Sequence, residues 1–227
     1  MEDIVQLINV SKSYSDAGAR RSIFKNISLD IQRNISLAVV GRSGSGKSTL
    51  LNLLSGIDTA DSGKVIFDNQ DYSAINEKQR TLIRRKSIGF IFQSYNLIPS
   101  LTVRENLLMP LELSNSYNKK QHESLVNSKL LEIGLENRCD SFPEQLSGGE
   151  QQRVAVARAI IHKPDLILAD EPTGNLDEEN GGRVLDLLFN LVKQESKTLI
   201  LVTHSLEVAN LAESIIDVNE LNTHKNV

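Results

Sequence analysis

The 227-residue sequence has a single cysteine, Cys139. A lone thiol forms no internal disulfide, and no metal-ligand partner stands at a telling spacing from it. A disulfide-stapled miniprotein is therefore excluded, and Cys139 is expected to be a surface or half-buried thiol. Long apolar runs are also missing. The best candidates, 37–40 and 154–161, fall well short of the ~18 residues that cross a bilayer. The acidic opening MEDIVQL lacks the charged-then-apolar pattern of a signal peptide. The chain is expected to be cytoplasmic, with other chains supplying any membrane span. Nor is there a basic surplus: 25 Lys and Arg face 29 Asp and Glu, so no overall charge drives general binding to nucleic acid, which leaves only a local patch to do so. Tandem repeats and low-complexity linkers are absent. With 40% hydrophobic and 24% charged residues, the composition excludes a disordered tail and a collagen-like fibre.

What is present is an alternation. Short β-branched runs predict strands over 4–10, 27–31, 35–40, 64–67, 88–92, 166–169 and 198–202, with a further one over 215–218. Helical patterns fall over 47–55, 76–86, 180–194 and 206–213. Between about 102 and 161 the periodicity is helical, with Val103, Leu107, Leu108 and Leu111 on one face and Gly134 stopping a second helix. Strands alternating with helices imply an α/β fold with a mainly parallel sheet covered on both faces. The helical block reads as a subdomain inserted into it.

One strand runs into Gly41-Arg42-Ser43-Gly44-Ser45-Gly46-Lys47-Ser48, followed by Thr49. This is the G-x-x-x-x-G-K-[ST] pattern of a phosphate loop. Its glycines let successive N–H groups face phosphate oxygens, and the helix behind adds its positive dipole end. Lys47 suits the β- and γ-phosphates and the Ser48 hydroxyl suits Mg²⁺. A second apolar strand delivers Asp170 and Glu171 to a sheet edge, where α/β folds place ligands. Asp170 can hold Mg²⁺ through water, and Glu171 can take a proton from an attacking water as general base. His204 follows a third apolar strand, within reach of a γ-phosphate at the same edge. His122, His162 and His224 have no such placement and read as ordinary surface or core residues.

These elements are shared by kinases, GTPases, helicases and transporter ATPases; Leu146-Ser147-Gly148-Gly149-Glu150-Gln151 chooses among them. Ser147 with Glu150 is a capping box. Two glycines in the first helical turn cost stability, yet they permit close approach to a bare helix N-terminus. The chain thus carries a second anion-binding element, most economically placed against another subunit's ATP.

In this order the motifs resemble the nucleotide-binding subunit of ATP-binding cassette (ABC) transporters, over about 4–218. The resemblance implies one ABC ATPase domain over 1–227: a P-loop NTPase core over 1–92 and 162–227 with an antiparallel β subdomain, and a helical signature subdomain over about 93–161. It implies ATP and Mg²⁺ as cofactors. Ser48, Gln93 and Asp170 are the implied metal residues. Tyr14 resembles the aromatic that stacks on adenine, Gln93 the glutamine that senses the γ-phosphate, Asp177 the loop residue at the dimer interface, and His204 the switch histidine. Partners implied are a second copy of the ATPase and an integral membrane permease, with no nucleic acid. The place implied is the cytoplasmic side of the inner membrane.

Leu168–Asp177, Phe92–Asn106 and Met109-Pro110 are similar to the lipoprotein-releasing, macrolide-exporting and cell-division group of bacterial ABC ATPases. An ATP-driven regulatory switch without cargo uses the same residues. A single cassette and an acidic balance disfavour a soluble nucleic-acid ATPase. Three features depart from the family pattern: Ser205 after His204, Arg33-Asn34 before the phosphate-loop strand, and Asp217-Val218-Asn219-Glu220 near the end.

Overall fold

Ile4, Val5, Leu7 and Val10 are buried along a long strand, β1 (Asp3–Asp16). It folds back on β2 (Ala19–Gln32), which buries Phe24, Ile27 and Ile31. The computed structural model describes residues 2–16, 19–114 and 119–222. The hairpin outruns the predicted strands because its polar half pairs through the backbone, with Lys12 opposite Phe24 and Tyr14 opposite Arg21. Side-chain alternation does not reveal such a segment.

Next comes β3 (Ser36–Val40), and after the phosphate loop α1 (Lys47–Leu54). The strand β4 (Ser62–Phe67) and the two-residue β5 (Gln70–Asp71) follow, giving an antiparallel sheet of order β2-β1-β4-β5. The polar helix α2 (Glu77–Ser87) buries no residue and leads out of this part of the chain.

Two compact units emerge, one of residues up to Arg84 with those from Thr198 on, the other Arg85–Lys197. In the second, β6 (Ile88–Phe92) pairs in parallel with β7 (Leu166–Asp170), Phe92 lying beside Asp170. Between them run α3 (Val103–Leu113), α4 (Lys119–Glu132) and α5 (Gly148–Ile160); α6 (Glu178–Gln194) follows β7. Val103, Leu107, Val126, Leu130, Val154 and Ala157 form one apolar cluster across α3, α4 and α5. Residues Val154–Ile160 of α5 are buried without a break, as expected of a helix enclosed on all sides. Half-buried Cys139 and Leu97 pack on this cluster.

In the first unit β8 (Thr198–Val202) pairs in parallel with β3, and so does β9 (Ser214–Asp217) on its other side. The predicted helix over 206–213 is shorter: α7 (Leu206–Ala209) ends after one turn. Val218 does not extend the last strand. Asp217 accepts a hydrogen bond from the Asn219 N–H at 2.8 Å, capping a short helix, α8 (Val218–Leu221).

Candidate nucleotide site

The first unit holds the phosphate loop. Gly46 adopts φ 105°, and a Cβ there would lie 2.6 Å from Ile23 Cγ2, so no other residue fits. Having no side chain, Gly46 leaves the first-turn N–H groups of α1 uncapped, whereas Thr102, Ser147 and Asp177 cap α3, α5 and α6 with side-chain oxygens. An uncapped N-terminus after a glycine loop is an anion site. The buried Lys47 folds back, its Nζ donating to the Gly41 carbonyl at 2.9 Å and the Arg42 carbonyl at 3.2 Å. Ser45 N–H donates to the Arg42 carbonyl at 3.1 Å, and Arg21 holds the Gly44 carbonyl at 3.0 Å. Arg42, Ser43 and Gly44 are exposed. The buried Ser45 Oγ finds no partner among the described residues, a donor that the loop's own bonds leave unused. Ser48 is exposed and Thr49 half-buried.

Tyr14, near the end of β1, belongs to this unit and is 39% exposed. Its hydroxyl donates to Asp58 Oδ2 at 2.7 Å and is also hydrogen-bonded to the Thr49 side chain. Lys12 Nζ stands 5.0 Å from the ring centroid and 2.6 Å from Asp58 Oδ1. Burial and the Asp58 carboxylate push the Tyr14 hydroxyl above its ordinary pKa. Burial alone would raise Asp58, but the hydrogen bonds from Lys12 and Tyr14 outweigh it and hold the carboxyl low. His204, exposed, follows β8. Ser205, the departure beside it, caps α7 by accepting from the Val208 N–H at 3.3 Å, so an Asp is not needed there for the turn.

In the second unit Gln93, Asp170 and Glu171 leave adjacent parallel strands at the same end. Gln93 Nε2 donates to Asn175 Oδ1 at 3.3 Å, and Asn175 Nδ2 returns a bond to the Gln93 carbonyl at 3.0 Å. Glu171 is half-buried with φ 46°, a left-handed backbone that non-glycine residues enter at a cost. The Gly174 N–H closes a turn on its carbonyl at 3.0 Å. The fully buried Gln152 of α5 donates to the Pro172 carbonyl at 2.5 Å, fixing the chain just after Glu171.

The signature segment opens α5 as the capping box expected of it. Ser147 N–H and hydroxyl both donate to Glu150 Oε2 at 2.8 Å, and Ser147 Oγ accepts from the Glu150 N–H at 3.3 Å. The Ser147 backbone N–H, then its hydroxyl, lowers the Glu150 carboxyl below the usual range. Gly148 is half-buried, with space for a Cβ only 2.8 Å from Tyr95 Oη, and Gly149 is buried against Asn180. Asp177 caps α6 with Oδ1 on the Asn180 N–H at 2.8 Å and Oδ2 on the Asn180 side chain at 2.7 Å. Those bonds, the backbone one foremost, hold its carboxyl low.

Of the other histidines, His122 is buried, His162 contacts the Ile88 carbonyl at 3.3 Å, and His224 lies outside the described residues. Sequence reasoning overlooked Lys12, Asp58, Gln152 and Arg158. For the last two a signal existed: polar residues interrupting the apolar run of α5. Arg158 donates to the carbonyls of Asn96 at 2.7 Å and Tyr95 at 3.0 Å.

The ABC transporter profile matches residues 24–174. The chain belongs to the ABC transporter family. It is 46% identical over 217 residues to an uncharacterised ABC transporter ATP-binding protein of Mycobacterium tuberculosis, covering 95% of this chain and 87% of that one. To the lipoprotein-releasing system ATP-binding protein LolD of Legionella pneumophila it is 43% identical over 209 residues, 92% of each. Its fold matches a dimeric post-hydrolysis structure of the ATP-binding cassette MJ0796 bound to ADP and Pi, with TM-score 0.86 and 39% identity over 94% and 93% of the two chains. This chain is therefore an ABC ATPase, the ATP-binding subunit of a transporter. Among its described residues no helix is long and apolar enough to cross a membrane.

Proposed function

We propose that two copies of this ABC ATPase close head to tail around two ATP and drive a membrane permease of the lipoprotein-release type. The uncapped N-terminus of α1 behind Gly46, with Lys47 folded over the loop, carries the reading. That end of the helix offers N–H donors and a positive dipole to the phosphates, and Lys47 shifts from carbonyls to phosphate oxygens when nucleotide arrives. Tyr14 stacks on the base. Ser48, Gln93 and Asp170 supply a hydroxyl, an amide and a carboxylate, hard oxygen donors that suit Mg²⁺. When bound, the ion neutralises charge on the phosphates. Ser147, Gly148 and Gly149 of one copy face the γ-phosphate held by the other, with Asp177 beside them. Glu171 accepts the proton of the attacking water, and His204 donates to the γ-phosphate as charge grows.

The similarity to LolD supports the permease class. The dimeric form of MJ0796 supports the pairing. The extent of the helical subdomain, 93–161, and attachment at the cytoplasmic face of the membrane through the permease belong to the same reading.

The test follows ATPase rate against protein concentration for wild type, Glu171→Gln and Ser147→Arg. The rate per subunit rises with concentration in wild type. Glu171→Gln loses at least about a hundredfold in turnover while retaining ATP in a dimer that elutes early on gel filtration. Undiminished hydrolysis by Glu171→Gln would refute the base, and a fully active Ser147→Arg would refute the shared site.

A further inference from the structure

An exposed tyrosine ordinarily turns its hydroxyl to water and lets its ring swing. Tyr14 does neither. Its hydroxyl is held between Asp58 Oδ2, at 2.7 Å, and the Thr49 side chain. Lys12 Nζ sits 5.0 Å from the ring centroid and is itself fixed by Asp58 Oδ1 at 2.6 Å and the Thr59 carbonyl at 2.8 Å. Lys12 is buried, so this is no passing surface pair.

The anchors belong to the phosphate-loop helix. Thr49 lies in the first turn of α1, and Asp58 in the loop just beyond its end. That loop folds back on the helix through the Gly56 N–H on the Leu53 carbonyl at 3.1 Å and the Asp58 N–H on the Asn52 carbonyl at 3.1 Å. The hairpin is pinned nearby as well: Ser13 N–H and hydroxyl donate to Asp61 Oδ2 at 2.9 and 2.5 Å, and Arg20 joins the same oxygen at 3.2 Å.

Resting on the assignment of Tyr14 to the nucleobase, we propose that Lys12 and Asp58 are positioning residues that hold the Tyr14 ring as a one-sided stacking platform, registered to α1. The ammonium occupies one π-face, leaving the other for a planar ligand. Fixing the ring beforehand removes ordering cost from binding. Tying it to the helix that grips the phosphates sets the separation between base and phosphate. Neither residue touches the nucleotide; both act through Tyr14.

ADP and inorganic pyrophosphate differ by the nucleoside, and neither is hydrolysed, so the ratio of their affinities measures what the platform adds. Isothermal titration of both ligands is carried out on wild type, Tyr14→Ala, Tyr14→Phe, Asp58→Ala and Lys12→Met. Tyr14→Ala is expected to lose about tenfold for ADP. Tyr14→Phe keeps the ring without its anchor and, like Asp58→Ala and Lys12→Met, should lose about threefold to tenfold for ADP, with pyrophosphate unchanged throughout. If Tyr14→Ala weakens ADP but the other three match wild type, the positioning role is overturned and stacking stands. If Tyr14→Ala leaves the ratio unaltered, stacking falls and the proposal with it. Should Asp58→Ala and Lys12→Met weaken both ligands equally, the network serves the loop or the fold and the proposal is again wrong; Tyr14→Phe, which removes one oxygen from a half-exposed side chain, guards against reading misfolding as loss of positioning.

Discussion

Glu171 shows how a single residue is held ready at a strained backbone angle. Its left-handed φ of 46° needs neighbours that over-determine it. One is the turn closed by Gly174. The other is Gln152, whose amide nitrogen reaches the carbonyl of Pro172 at 2.5 Å and that of Phe92 at 3.4 Å, spanning the ends of β7 and β6. Replacing Gln152 by Leu strands the buried Pro172 carbonyl, with an expected loss of about 1–3 kcal/mol in urea unfolding. Because the chain next to Glu171 loosens, kcat should fall more than KM rises. Wild-type kcat in a destabilised Gln152→Leu would show that the 171–174 turn holds Glu171 alone. Gln152 went unassigned in the sequence because a polar residue in an apolar helix has no visible partner until the strand ends that it bridges are known.

At the scale of elements, legibility follows from how local the causes are. The box at Ser147 and Glu150 lies four residues from end to end and was readable directly; Thr102 and Glu105 repeat it at α3, with Thr102 N–H on Glu105 Oε2 at 2.8 Å. Thr102→Ala removes both bonds of the hydroxyl, to Glu105 Oε2 at 2.9 Å and from the Glu105 N–H at 3.3 Å, and should cost about 1 kcal/mol, measured as a lower urea midpoint at constant slope. An unchanged midpoint would mean that burial of Val103 and Leu107 alone sets the start of α3. The overlong prediction for α7 has the opposite origin: its apolar residues kept helical spacing, but Ala212 N–H turns to the Ala209 carbonyl at 3.1 Å and the chain leaves for β9. Likewise the outer half of β1 is held by pairing and by Asp58 and Asp61, which lie more than forty residues away. Tyr14, the proposed stacking residue, is thus nominated by the sequence, whereas its partners Thr49 and Asp58 stand too far along the chain to be read with it.

For the whole molecule, phosphate-loop, acidic and signature motifs were legible because each is a contiguous string with its chemistry in it, while their supports come from distant strands and helices. Several carboxyls of the fold are held ionised by their surroundings, so the folded chain should be acid-sensitive. The guanidinium of Arg84, then that of Arg80, pulls Glu77 from 4.5 down to about 2. Ser13 lowers Asp61, and the Asn180 N–H lowers Asp177. A carboxyl with a depressed folded pKa stabilises the fold fully above its unfolded pKa and loses that contribution as pH falls through the folded value. For Glu77 the window therefore runs from 4.5 down to about 2. Burial also lowers His162 from 6.5, so charging it in the unfolded chain starts to erode stability at higher pH. Glu77 is the lever that separates these contributions. Arg84 donates to the Gly56 carbonyl at 2.7 Å, which straps α2 to the end of the phosphate-loop helix, and its ion pair with Glu77 of the same helix, at 2.6 Å, holds the guanidinium in place for that bond. Glu77→Gln should melt below wild type at pH 7, and the two curves should draw together as pH drops toward 2. A gap that stayed constant with pH would assign the loss to hydrogen-bond geometry rather than to charge.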